Sequence, residues 1–333
     1  MKRNRILIFL LALVVVVAAV GCGPKLTPKQ RLEEAFTKSK DITSSEADFN
    51  MNFKLDLGEQ PDSMLGMILG MLEDVQMKGN TKTLLQDNGT PLMSFAGSAT
   101  TAGVTYDAEL FMNEKQMALK IPMLPQYLVQ ELPETQAMDK EQSMAMVDEV
   151  YKVVLGQIDE DKLVLTEGVE MVVGETTVKG DKIAFSMTDA EAKDFTKKMM
   201  DALFNNETFV NMSIDQQKAQ MEAMGYTVTD EELRAEFEES KKMFDENWNE
   251  AVGSLNITKM DMSYLLDKDN QAIGATVDMD MAITDEQAGL EMKVHMDLES
   301  VNTMINQLKA EDIAFPELNE ENSMPMEQLL NNM

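Results

Sequence analysis

Apolar and polar residues alternate with period two over several long stretches of this chain. Phe49, Met51, Phe53, Leu55 and Leu57 alternate with Asp48, Asn50, Asn52, Lys54 and Asp56, which predicts a strand with one wet face. Val104, Tyr106, Ala108, Leu110 and Met112 share a face; Asn113-Glu114-Lys115 turns the chain, and Met117, Leu119 and Ile121 return. The pattern is clearest after Gly253. Met260, Met262, Tyr264 and Leu266 form one strand, and Asp267-Lys268-Asp269-Asn270 turns. Ile273, Ala275, Val277, Met279, Met281 and Ile283 come back on one face. After Asp285-Glu286-Gln287, a third strand carries Leu290, Met292, Val294, Met296 and Leu298. This is an antiparallel meander with one apolar face.

Other stretches have helical spacing. Thr27-Pro28-Lys29-Gln30 combines an N-cap, proline at the first helical position and glutamine three after the cap, ahead of Leu32, Ala35 and Phe36. Met64, Met67, Ile68 and Met71 predict a short helix, and Met144, Val147, Tyr151 and Val154 a longer one over residues 137–158. Between these, Pro122, Pro125 and Pro133 punctuate a loop. A hairpin is expected to turn near Val178-Lys179-Gly180-Asp181-Lys182 and return through Ile183, Phe185 and Met187. Capping boxes beginning at Thr188, Ser213 and Thr229 predict three successive helices, with Gly225 at a helix end. The last helix carries the aromatic stripe Leu233, Phe237, Phe244 and Trp248. A final helix over residues 301–308 and an acidic tail are expected to close the chain. Strands and helices are segregated, so the fold class is α+β. The simplest way to bury both sets of stripes is a curved antiparallel β-sheet with helices packed on its concave, apolar face.

The first residues belong to an address rather than to the fold. Lys2, Arg3 and Arg5 precede an unbroken apolar run over residues 6–20, short for a membrane span and right for a signal-peptide core. The run ends in Ala19-Val20-Gly21-Cys22, which looks like a bacterial lipobox. There the thiol of Cys22 takes a diacylglycerol and becomes the mature N-terminus. Two acyl chains anchor stably where one is marginal. The expected organisation is a signal peptide over residues 1–21, a lipidated Cys and short tether over 22–26, a single domain over 27–320 with a helical insert at about 188–252, and an acidic tail over 321–333.

Charge then narrows the partners. The chain has 29 Lys and Arg against 59 Asp and Glu, a formal charge of −30. Removing the leader takes away three basic residues and leaves −33. Such a charge repels phosphate backbones and anionic lipid surfaces, so no nucleic-acid partner is expected. A single Cys excludes an internal disulfide framework and a Cys-based zinc site.

Methionine is the compositional outlier, 31 in all. Met260, Met262, Met279, Met281, Met292 and Met296 fall on the apolar face of the final meander, where flexible thioethers suit a hydrophobic cavity for irregular ligands. The plainer reading is that each substitutes for Leu in a core. Met64-x-x-Met67 and Met221-x-x-Met224 have spacings that copper(I) accepts. But the methionines are scattered over every element, and the lone His295 alternates onto the opposite face from Met292, Val294 and Met296, so no metal and no cofactor is expected. Asp267-Lys268-Asp269-Asn270 begins like a calcium loop, yet Ala272 and Asp278 stand where Gly and a bidentate Glu are needed, which favours a hairpin turn. The chain has no nucleophile elbow, P-loop or dinucleotide fingerprint, and no catalytic residues are expected.

The Cys22 anchor, the first helix over residues 28–40, the strand over 49–57, the loop Ile121-Pro122-Met123-Leu124-Pro125-Gln126-Tyr127, and the final meander followed by Ile313-Ala314-Phe315-Pro316-Glu317-Leu318 together resemble the small lipoproteins of Gram-positive bacteria that share the LolA/LppX-like half-barrel. The resemblance implies a non-enzymatic protein that holds acyl chains or another apolar ligand between sheet and helices. It also implies attachment to the extracytoplasmic face of the cell membrane through the N-terminal lipid. The insert at about 188–252 goes beyond that minimal fold. The alternative is a structural or protein-interaction lipoprotein with no ligand.

Overall fold

The period-two stretches pair in the register that their polarity demands. The computed structural model describes residues 26–56, 73–86, 89–122, 124–132, 140–223, 226–285, 290–326 and 328. The leader, Cys22, the stretch from Met64 to Met71, and Gly225 lie outside the described residues. An N-terminal meander consists of β1 (Ser44–Asp56), β2 (Asp74–Leu85), β3 (Pro91–Thr101), β4 (Val104–Met112), β5 (Gln116–Lys120) and β6 (Tyr127–Glu131). A second set consists of β7 (Val164–Val173), β8 (Thr176–Ser186), β9 (Leu255–Leu266), β10 (Ala272–Asp285) and β11 (Leu290–Thr303). β11 pairs antiparallel with β1, and this joins the two sets into one sheet. With β12 (Ser323–Pro325) at one edge, the order is β12-β6-β5-β4-β3-β2-β1-β11-β10-β9-β8-β7. All pairings are antiparallel except β12 with β6. The two edges do not meet, so the curved sheet is an open half-barrel and the fold is α+β.

Helices α1 (Pro28–Ser39), α2 (Lys140–Gln157) and α3 (Asp189–Phe204) cover one face of β7 to β10. Leu32, Ala35 and Phe36 of α1 and Val154 of α2 pack on Ile183, Phe185, Ile257 and Leu266. Phe36 stacks on Tyr151 at 4.5 Å and meets Tyr264 edge-on at 5.3 Å. Burial first, and Tyr151 second, push the Tyr264 hydroxyl above the usual tyrosine range. The helical insert continues with α4 (Glu207–Ala223) and α5 (Asp230–Gly253), which bury Val210, Ile214 and Leu233 between them. The stripe predicted on α5 packs as expected, Phe237 and Phe244 edge-on to Phe204 and Phe244 against Trp248.

Several local expectations are corrected. Ser213 caps nothing: it lies inside α4, its hydroxyl donating to the Phe209 carbonyl at 2.9 Å, and Asn206 instead accepts from the Phe209 N–H. Thr27, Thr188 and Thr229 do form capping boxes. The hairpin turns at Gly174, with φ 60°, and not near Gly180. Gly180 lies within β8, and glycine is required there because a Cβ would meet the Leu266 carbonyl oxygen at 2.3 Å. Residues 301–308 are not a helix. β11 continues through Val301, which is buried beside Leu265 under Met171 and Val173, and the chain then turns through Met304 and Asn306 at positive φ. Tyr127 to Glu131, read as loop, and Ser323 to Pro325, read as tail, are the short strands β6 and β12. The Asp267 turn is a hairpin turn, its carboxylate accepting from the N–H groups of Asp269 and Gln271 at 2.8 Å.

Candidate functional site: the two faces of the sheet

Strand register assigns each residue to a face. One rung across eight strands runs Phe185, Met262, Val277, Leu298, Met51, Met77, Ala99 and Tyr106. The next runs Met260, Met279, Met296, Phe53, Val75, Thr101 and Val104. Both are almost wholly apolar, but their burial is uneven. Phe185, beneath the helices, is 5% exposed; Met262 to Ala99 are half-buried; Tyr106 and Val104, at the far end, are 41% and 49% exposed. Among the described residues, the apolar face therefore extends beyond the helices packed on it.

The six methionines singled out from the sequence all lie on this face, in β9, β10 and β11. Met260, Met262 and Met281 pack against the main core beneath the helices. Met279, Met292 and Met296 lie farther along and are half-buried. Phe49 stacks on Phe95 at 5.9 Å on the same face, and the Phe95 ring lies over Gly79 and Gly97. A Cβ at either glycine would meet that ring at 2.7 Å, and at Gly97 it would also meet the Lys78 carbonyl oxygen at 2.5 Å.

The opposite face is polar. Its rung behind Met262 runs Ser186, Asp261, Asp278, Asp297, Asn52, Gln76, Thr100 and Thr105. The outer half of the β7–β8 hairpin folds over one end of this face. There Met171, Val173 and Val178 cover Leu265 and Val301, and Thr176 donates to the Asp48 carboxylate. Beside it lies an open groove of about 510 Å³, lined by Asp48, Asn50, Lys78, Ser98, Asp107 and Glu109. The Asn80 amide donates to Asp48 at 2.8 Å and fixes its carboxylate. Of these residues, the alternation in the sequence placed Asp48 and Asn50 on the wet face of a strand and singled out none of the others. Only their register, which sets Asn50 opposite Lys78 and Ser98 opposite Asp107, brings them into one groove.

Farther along the same face, His295 stands opposite Asp280, with Nδ1 2.7 Å from a carboxylate oxygen. Lys259 contacts Asp278 closely, and that hydrogen bond holds the ammonium above the usual lysine range. Among the described residues, no helix is long and apolar enough to cross a membrane.

No family model and no curated protein matches this chain. Among solved structures it is similar to LprF from Mycobacterium bovis, with 10% identity, 87% of this chain and 97% of that one covered, and a TM-score of 0.36. It is also similar to a putative outer membrane lipoprotein-sorting protein domain from Vibrio parahaemolyticus, with 9% identity, coverage of 86% and 95%, and a TM-score of 0.20. A DUF1329 family protein from Desulfovibrio piger matches at 7% identity, coverage of 82% and 93%, and a TM-score of 0.19. At such distances only this chain's own residues speak to its function.

Proposed function

We propose that this chain is a non-enzymatic lipoprotein, anchored through Cys22 to the extracytoplasmic face of the cell membrane, that binds a hydrophobic, lipid-like ligand on the apolar face of its sheet. The observation that carries the reading is the uneven burial of that face. Half-buried Met279, Met292 and Met296 lead from the packed core towards Met51, Phe53 and Met77, where no described helix contributes to a core cluster. An aliphatic chain laid along these rungs would remove apolar surface from water, at about 25 cal/mol per Å². Unbranched thioethers adapt to its shape at small packing cost.

The test is native mass spectrometry of the mature protein from its own host, followed by titration with a fluorescent fatty acid. An acylated Cys22, a co-purifying lipid and saturable uptake are expected. The double variant Met279→Leu and Met292→Leu keeps volume and should change stability by less than about 1.5 kcal/mol while weakening uptake. No saturable uptake, together with no bound lipid, overturns the reading in favour of a protein-interaction role.

A further inference from the structure

The polar face carries an arrangement that the apolar ligand does not use. Asp278 and Asp280 lie two apart on β10 and so share that face, and His295 on β11 stands directly opposite Asp280. One ligand atom from each of the three lies within 4.8 Å of the others. The Asp280 oxygen and His295 Nδ1 are 2.7 Å apart. Donors about 2.0–2.2 Å from a common ion stand roughly 3 Å from one another, so small adjustments bring this set to coordination distance.

Two further features single the trio out from ordinary surface carboxylates. Asp278 Oδ1 is covered and has no hydrogen-bond partner within the described chain, while Lys259 engages the other oxygen of the same carboxylate, whose side chain is 32% exposed. A covered acceptor left without a donor is destabilising, and a bound cation would satisfy it. The register also sets Asp261, Asp278 and Asp297 directly opposite one another, three like charges in one rung. Lys259 also approaches Asp261, at 3.9 Å, and Asn52 donates to Asp297 at 3.3 Å. Ser186 also donates to Asp261. Directly opposed like charges destabilise a sheet, and one ammonium with a neutral amide and hydroxyl leaves negative charge to balance. His295 and Asp280 are 36% and 42% exposed, open to an entering ion.

We infer that Asp278, Asp280 and His295 form a site for one divalent first-row transition ion. An imidazole with two carboxylates is a borderline donor set, suited to zinc and its neighbours and poorly suited to calcium, which takes 6–8 oxygens. Water fills the remaining positions. This site is independent of the lipid-like ligand and lies on the other side of the sheet.

His295 is the only histidine in the chain, so the test needs no variant to begin with. The imidazole proton resonances of the mature protein are followed by NMR during titration with Zn²⁺ at neutral pH, and affinity is read by competition with a chromophoric chelator. Saturation at one equivalent, with the His295 resonances shifted, is expected. Asp278→Asn and His295→Gln should each weaken binding by more than about tenfold, the range lost when even an outer-shell partner is removed. Asp107→Asn, in the groove, should not weaken it. Far-ultraviolet circular dichroism in chelator confirms that each variant is folded. Unmoved His295 resonances overturn the proposal, as does weak binding of many ions that His295→Gln leaves unchanged. Either result identifies a diffuse acidic surface only.

Discussion

Single carboxylates have distinct tasks in this acidic chain, and Glu191 is the clearest case. It closes the Thr188 capping box, accepting from the Thr188 N–H and hydroxyl at 2.9 Å each, and it contacts Lys162 across the surface. The Lys162 contact first, and the two Thr188 bonds after it, lower its pKa to about 2. A carboxylate whose folded pKa is depressed adds stability above its unfolded value, near 4.5, and loses it as the pH falls towards 2. Glu191→Gln should therefore lower the urea midpoint at about pH 6, and the gap from the wild type should narrow steadily to about pH 3. A gap that stays constant over that range would mean that the charge of Glu191 adds nothing. Thr188 and Thr229 were legible as caps because each box follows directly on non-helical chain. Ser213 presents the same residue types, but Asn206 has already started that helix, so the motif stands within a helical turn and its hydroxyl turns back to the chain. Local sequence cannot separate these cases, because the start of a helix depends on where the preceding helix ends.

Elements with strong alternation were legible along their middles, notably β1, β4 and the β9 to β11 meander, but not at their ends: β1 and β9 begin at Ser44 and Leu255, ahead of the clear alternation, and β11 runs on to Thr303. Each has one wet face, so a slip of one residue would expose its whole apolar set. Short strands were not legible: β6 has five residues and β12 three, and both lie among prolines and acidic residues. Pairing across nearly two hundred residues makes β12 a strand. All six methionines of the meander are half-buried, and which of them pack against the helix-covered core was hidden for a similar reason, since it depends on how far the helices reach. What fixes α1 on the sheet can be tested. Arg31 donates to Asp181 of β8 at 2.9 Å and to Asn270 in the β9–β10 turn at 2.6 Å, with its side chain only 13% exposed. Asn270 in turn donates to Glu34 of α1 at 2.9 Å. Arg31→Met keeps the apolar stem and removes both polar bonds. Hydrogen bonds to charged groups contribute about 1.5–3 kcal/mol, so a loss of about 2 kcal/mol in chemical denaturation is expected. Arg31→Lys should restore less than half of it, since an ammonium cannot reproduce the two-sided fork. Full recovery with lysine would show that charge alone holds the helix.

At the scale of the whole molecule, one sheet separates two chemistries: an apolar face that the described helices only partly cover, and a polar face rich in carboxylates. Folding the chain concentrates the negative charge implied by its composition. The rung Asp261, Asp278 and Asp297 is one example, and the first turn of α5, with Asp230, Glu231 and Glu232, is another. Some of this charge is balanced locally, as where Lys197 contacts both Asp201 and Asp245. Lysine raised in pKa by such partners shows the balance working, but 29 basic residues cannot pair 59 acidic ones. The remainder repels itself more strongly in the folded chain than in the extended one. That repulsion reaches over a Debye length of about 30 Å at 10 mM salt and about 8 Å at 150 mM. Raising sodium chloride between those limits should lift the melting temperature by several degrees, and the rise should level off once the screening length is shorter than the spacing of the charges. A zwitterionic solute at equal osmolarity should not reproduce it, which separates screening from preferential exclusion. Magnesium should act at lower concentration than sodium on every carboxylate-rich surface without saturating at one equivalent, in contrast to zinc at His295. A melting temperature indifferent to sodium chloride would mean that the local pairs already neutralise the fold, and that its acidity serves solubility alone.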